Sequence, residues 1–167
     1  MRTLGRSCLD TLRGVAPPPS FSQPVVPRYA EVDQQGVVFN AHYLTWFDEA
    51  FTAFLDHIGV SYPALIAGEL DMQVVRTEID FLSSVRWRDA VRVAVTCERL
   101  GSTSLTMGFS VLRRAAGEDE VVAVRGRSVY VVVSTSDWAK RAIPDALREA
   151  LTTGSSAPDR GGSDLGC

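Results

Sequence analysis

The chain has one lysine against sixteen arginines, only two histidines, and three cysteines in 167 residues. Cys8, Cys97 and Cys167 are odd in number and far apart. They form no CxxC pair and no Cys/His ligand spacing, so neither a disulfide framework nor a zinc site organises this fold. No metal and no redox cofactor is expected. His42 and His57 have no metal-like partner spacing, and their expected place is a cap or a solvent-facing position. Without a G-x-S-x-G elbow, Ser-His-Asp hydrolysis is unsupported. No apolar run reaches about 18 residues, so no membrane span is expected. The first residues lack an apolar core and include Asp10, which makes them a poor secretory signal and at best a weak Arg-containing transit peptide. A reduced, cytoplasmic setting is the expectation. A net charge of −3 provides no field that would draw the protein to nucleic acid or an anionic membrane.

What is present is enough for one self-sufficient core. Hydrophobic residues make up 46% of the chain. Twenty-one valines point to β structure. Residues 1–23, with Pro17-Pro18-Pro19, and the Gly/Ser-rich residues 153–167 have no clear period and are expected to be flexible ends. The working domain is expected over 24–152. It opens with an extended candidate, Pro24–Val32. A helix pattern follows over about Ala41 to His57, where Tyr43, Phe47, Ala50, Phe51, Phe54 and Leu55 recur at three and four. Gly59 suits its C-terminal end. A short helix is expected at Pro63–Ala67. Four period-two strands follow, over Gln73–Phe81, Ala90–Leu100, Thr103–Arg113 and Glu120–Val133, and an amphipathic piece over Pro144–Leu151. Within them Val75, Thr77, Ile79 and Phe81 share one face, as do Val122, Val124, Tyr130 and Val132. Arg125 and Arg127 take the opposite face. Turns at Gly101-Ser102 and Ala116-Gly117 make the strands antiparallel. The economical fold is α+β, one antiparallel sheet wrapped around one long helix.

The segment that carries chemistry is Asp33 to Ala50. An acid stands in a loop that runs into a mostly apolar helix. Gly36 permits a tight or left-handed turn, and Asn40 is a suitable N-cap. Free amides of the first helical turn would polarise a carbonyl oxygen as it gains charge. Asp33 would then attack the carbonyl carbon or activate water. The milder reading of the same residues is a surface acid and an ordinary cap.

Asp33, Gly36, Val37-Val38, Phe39, Asn40 and Tyr43, followed by Trp46-Phe47-Asp48-Glu49-Ala50, resemble the signature of the 4-hydroxybenzoyl-CoA thioesterase family of hot-dog enzymes, including its Tol-Pal-associated acyl-CoA thioesterases. The looser similarity spans about residues 24–151. The resemblance implies the hot-dog fold and hydrolysis of an acyl-CoA thioester, with Asp33 as general base or nucleophile. It implies that the Asn40 amide polarises the carbonyl and that Gly36, Val37, Phe39 and Tyr43 shape the site. Tyr43 reads equally well as a core aromatic. The family's sites form at subunit interfaces, so a homo-oligomer, a dimer or tetramer, is implied. Two departures matter. Many bacterial relatives have His where this chain has Asn40, and Arg where it has Phe51. Hot-dog hydratases pair their Asp with a His five residues on, where this chain has Val38.

A CoA thioester brings phosphates, which need local cations on an acidic domain. Arg86 and Arg88, in the turn Ser83–Asp89, are candidates. So are Ser102, Thr103 and Ser104, which look like the family's Gly-x-x-Ser connection, and Arg125 and Arg127. These arginines are expected to gather near one site, within one chain or across subunits. Phe39, Trp46, Phe47, Leu65, Ile66 and Met72 are candidates for an acyl pocket. Two other functions fit the same residues: release of an acyl or polyketide chain from a carrier protein, and non-catalytic binding of an acyl ligand.

Overall fold

The computed structural model describes residues 21–154. Most of the two expected flexible ends lies outside the described residues, as do Cys8 and Cys167. Five antiparallel strands form one sheet in the order β1-β3-β4-β5-β2: β1 (Phe21–Val25), β2 (Leu70–Phe81), β3 (Ala90–Leu100), β4 (Ser104–Arg114) and β5 (Val121–Ser134). The long helix α1 (His42–His57) covers the concave face, joined by α2 (Tyr62–Ala67) and α3 (Asp145–Gly154). This is the expected hot-dog arrangement. Among the described residues no helix is long and apolar enough to cross a membrane.

The core forms where the two periods meet. Tyr43, Trp46, Phe47, Ala50, Phe51, Phe54 and Leu55 of α1 are buried. They pack with inward residues of the sheet that include Val93, Val95, Met107, Phe109, Val111, Val124, Tyr130 and Val132. Burying one such large side chain is worth about 1.5–3 kcal/mol, so this stripe dominates the folding energy. Ile143, Leu147 and Leu151 close one end of the core, with α3 where the amphipathic pattern places it. Gly59, at φ +79°, ends α1 as expected.

Three expectations shift. The extended piece begins at Phe21, three residues early, and stops at Val25. Glu31 accepts the Arg28 amide at 2.8 Å, which curls Tyr29–Glu31 into a 3-10 turn. In β2 the register slips between Val74 and Arg76, so Val75 leaves the inner face and is exposed. A bulge inserts one residue and inverts the alternation beyond it. A second slip, opposite Val111 and Leu112, puts Val122 beside Leu112 and buries Ala123.

Two glycines thin the sheet where β4 meets β5. Gly108 pairs with Arg127 and Phe109 with Gly126. On the inner face, a Cβ at Gly126 would stand 2.2 Å from the Phe47 ring. Phe47 in turn stacks on Phe109 at 4.7 Å between centroids. On the outer face, a Cβ at Gly108 would stand 2.4 Å from the Glu98 carboxylate. That carboxylate lies across β4 to receive the Arg127 Nε–H at 2.6 Å.

Candidate active site

The loop from Asp33 to Asn40 is stitched down on both sides. The Asp33 amide donates to the Val37 carbonyl at 2.9 Å, and the Gly36 amide to the Asp33 carbonyl at 3.0 Å. Gly36 takes φ +75°, the left-handed conformation its lack of a Cβ permits. Val38 donates to the Val85 carbonyl at 2.8 Å, in the β2–β3 connection, and Phe39 to the Glu31 carbonyl at 2.9 Å. The Asp33 side chain closes an Asx turn: Oδ1 accepts the Gln35 amide at 2.8 Å. Oδ2 has no hydrogen-bond partner among the described residues.

Asp33 opens onto a groove of ≈ 580 Å³, walled by Val37, Phe39, Asn40 and Tyr43 on one side and by Phe81 to Ser84 on the other. The structure therefore brings together Asp33, Val37, Phe39, Asn40 and Tyr43, with Gly36 in the turn beneath. Asn40 does not cap α1. The cap position belongs to Ala41, already helical and with no side-chain bond. The entry winds tightly, with His42 donating to the Phe39 carbonyl at 3.0 Å and Leu44 to the Ala41 carbonyl at 3.3 Å. These bonds use up donors expected to be free. The Asn40 amide has no acceptor among the described residues. The Ala41 and Tyr43 amides likewise have none, so part of the turn, rather than the whole of it, keeps free donors.

Tyr43 satisfies both of its readings, since it is buried in the core and still lines the groove. Burial pushes its hydroxyl pKa up, and the Asp33 and Asp89 carboxylates add to this against a hydrogen bond with the Val85 backbone. It stays protonated at neutral pH and presents a neutral dipole.

Glu31 was not among the sequence candidates. It is 3% exposed, the one buried carboxylate among the described residues. Burial alone would raise its pKa, but the Arg28 amide, the Arg28 guanidinium at 2.6 and 2.9 Å, and Trp46 hold it below the usual carboxylate value. Its main chain carries the Phe39 amide, so this buried ion supports one wall of the groove. The Arg28-x-x-Glu31 spacing was a readable signal, an ion pair three residues apart.

The remaining candidates are dispersed. Arg86 lies beside the loop, its Nη1 4.0 Å from where a Cβ on Gly36 would stand. Arg88 lies over the Trp87 ring, 4.3 Å from the centroid. Arg125 and Arg127 line a separate hollow on the outer face with Glu78, Asp80 and Glu98. Within one chain the four arginines therefore do not gather. The turn with Ser102, Thr103 and Ser104 stands at the other end of the sheet. Ser104 pairs with Val131 of β5, whereas Phe81 of the groove pairs with Val124, a separation of roughly 20 Å along the strand. Of the acyl-pocket candidates, Phe39 borders the groove, Trp46, Phe47 and Met72 are core, and Leu65 and Ile66 sit on α2.

A family model described as the thioesterase-like superfamily matches residues 27–151. A 1,4-dihydroxy-2-naphthoyl-CoA hydrolase of Synechococcus is 29% identical over 132 residues, covering 74% of this chain and 83% of the relative. The acyl-CoA thioester hydrolase YbgC of Escherichia coli is 24% identical over 127 residues, covering 76% and 92%. Among solved structures, the dynemicin thioesterase, studied for its polyene binding, superimposes with a TM-score of 0.73 at 25% identity, covering 80% of this chain and 96% of the other.

Proposed function

This chain belongs to the thioesterase-like superfamily, and on that premise we propose that the Asp33 groove hydrolyses an acyl-CoA thioester to a carboxylate and a free thiol. The chain is a thioester hydrolase; the residue roles are our reading. One observation carries it: Asp33, with an unpartnered carboxylate oxygen, and Asn40, with an unpartnered main-chain N–H, line the same groove. The Asn40 N–H stabilises the negative oxygen that forms as the carbonyl carbon becomes tetrahedral. Asp33 Oδ2 takes a proton from the attacking water, or itself attacks to give an anhydride that water then opens. The C–S bond breaks, and the sulfur leaves as a thiolate that takes up a proton. Phe39, Tyr43 and Phe81 offer the acyl group an aromatic wall.

A homo-oligomer belongs to the same reading. Among the described residues β2 is unpaired along one edge, and Val74, Val75, Phe81 and Leu82 are exposed on and beside it. The site's neighbourhood is therefore suited to cover by a second copy. A cytoplasmic setting is also part of it, consistent with Cys97 as a free thiol. The polyene binding of the dynemicin thioesterase supports a second reading, in which the groove takes an extended unsaturated chain; release of such a chain from a carrier protein is its testable form.

The test is a steady-state screen of aliphatic and aromatic acyl-CoA esters and one acyl-carrier protein, with Asp33→Asn alongside. Turnover is expected to fall at least about a hundredfold in that variant, with the melting temperature retained. Wild-type rates in Asp33→Asn overturn the assignment of Asp33. Turnover of the carrier substrate alone selects the second reading, and inactivity on every thioester leaves a binding module. Single turnover in ¹⁸O-water identifies the anhydride route where label enters the Asp33 carboxylate, because only an anhydride opened at the Asp33 carbonyl places it there.

A further inference from the structure

Beside the groove, on the β2–β3 connection, stands a cluster that the hydrolytic chemistry does not use. Trp87 is 45% exposed and Tyr29 75% exposed, and their rings meet edge to face at 5.4 Å between centroids. The Arg88 guanidinium covers the Trp87 ring at 4.3 Å from its centroid. Its backbone is held at φ +73°, a conformation that residues with a Cβ rarely adopt. The turn is fastened from behind: the Asp89 carboxylate accepts the Arg86 amide at 2.8 Å. Large apolar rings left in water beside a site cost free energy unless a ligand covers them. The cations here are also spare. Arg28, Arg92, Arg127 and Arg141 are each tied to a carboxylate, whereas Arg86 and Arg88 are in no salt bridge among the described residues.

The distance from the reacting carboxylate is bounded by main-chain hydrogen bonds. Val85, two residues before Trp87, accepts the Val38 amide, and Asp33 donates to Val37. Two strand spacings of about 5 Å and the intervening residues keep the platform within roughly 20 Å of Asp33. That reach admits a ligand with its flat group on a long arm.

We propose that Tyr29, Trp87 and Arg88 form a stacking platform for the purine base of a CoA thioester, with Arg86 taking a phosphate, so that the enzyme selects free CoA esters over thioesters without a nucleotide. The inference rests on the thioesterase reading and names the carrier for that site. Stacking on an aromatic face is tolerant in angle, and a guanidinium laid over Trp87 provides a planar cation that a base can slide against or displace. Arg86, beside Gly36 and two residues beyond the groove-lining Ser84 in the chain, is the cation to meet a diphosphate on the arm.

The test uses Trp87→Ala and Trp87→Phe with two substrates of the same acyl group, an acyl-CoA and an acyl-N-acetylcysteamine, which has no nucleotide. Trp87→Ala is expected to raise KM for the acyl-CoA about tenfold with kcat unchanged, and to leave kcat/KM for the short thioester within twofold. Trp87→Phe, which keeps a ring, is expected to recover most of the loss. An unchanged KM for the acyl-CoA in Trp87→Ala overturns the platform. So does an equal loss on both substrates, which would indicate a disturbed loop. Titration of free CoA by calorimetry onto wild type and Trp87→Ala needs no turnover, so it decides the platform even if the thioesterase reading fails. Weaker binding in the variant supports it and equal binding overturns it.

Discussion

Two turns of this molecule have nearly the same vocabulary, glycine with small or polar residues, and opposite states of satisfaction. In the turn at the far end of the sheet, Gly101 donates to Ser104 at 2.8 Å. The carbonyls of Ser102 and Thr103 receive Ile143 and Val132, each at 2.9 Å. Arg148 of α3 reaches the Gly101 carbonyl at 2.7 Å. This turn's carbonyls are taken up within it, by β5, by Ile143 ahead of α3 and by Arg148 of α3. In the Asp33–Asn40 loop the stitching is as regular, but the Asp33 Oδ2 and the amides of Val37 and Asn40, all in groove-lining residues, have no partner among the described residues. A polar group the fold has already paired contributes stability, whereas one held in place but unpaired is available to a substrate. Both turns read as substrate contacts in the sequence, and within one chain only the loop reaches the groove.

The sharpest way to break this contrast is the carboxylate left over. Asp33→Asn removes turnover with the fold intact, an effect of at least about 2.7 kcal/mol on the barrier. Next comes the support beneath the loop. Glu31→Gln is expected to cost about 1–3 kcal/mol of stability, read by urea denaturation, because it leaves a buried ionic network without its charge. Its pH dependence has a definite sign. The folded pKa lies below the unfolded one, so the contribution of Glu31 is complete above the ordinary carboxylate pKa of about 4.3. It is lost as pH falls through the lower folded value. Stability measured between pH 6 and pH 3 is expected to fall less steeply in Glu31→Gln than in wild type; equal slopes would remove Glu31 from this role.

Gly36→Ala comes third. The left-handed conformation at position 36 is expected to cost about 1–2 kcal/mol with a Cβ present, and turnover to fall with it as Asp33 shifts. Wild-type stability there would mean the turn tolerates another shape. The smallest effect belongs to the other turn. Arg148→Met is expected to lower stability by about 1 kcal/mol with kcat and KM within twofold. A large loss of turnover without a loss of stability would make the far turn part of the site and erase the difference.

The order of elements was legible because period three-to-four and period two are hard to confuse over long stretches such as α1 and β3. The bulges were not. Val75 alternates correctly with its neighbours and still faces outward, since one inserted residue changes parity without changing composition. Asp33 and the groove-lining part of its motif were legible because loop, glycine, aromatic and tyrosine come in a fixed order. Asn40 was legible as a position and misread as a device: its residue type suggested a cap, while the main chain wound past it and left its amide over. Glu31 escaped because an acid in a loop looks solvated unless its cation is sought three residues back. Arg125 and Arg127 were correctly set on one face of β5, but one-chain periodicity does not tell a cofactor's arginine from one neutralised by Glu98 and Glu78.

The glycines at 108 and 126 have a consequence for how the sheet divides its two sides. One is bare toward the outside and the other toward the helix, on adjacent strands. Between the Phe47 ring and the ion pair of Glu98 with Arg127 there is little more than a single layer of peptide. Elsewhere the sheet insulates, with a row of side chains on either face; here it is a window. The helix whose first turn holds Tyr43 rests its Phe47 ring on that window, so the helix side and the charged outer side are separated here by about the width of a main chain.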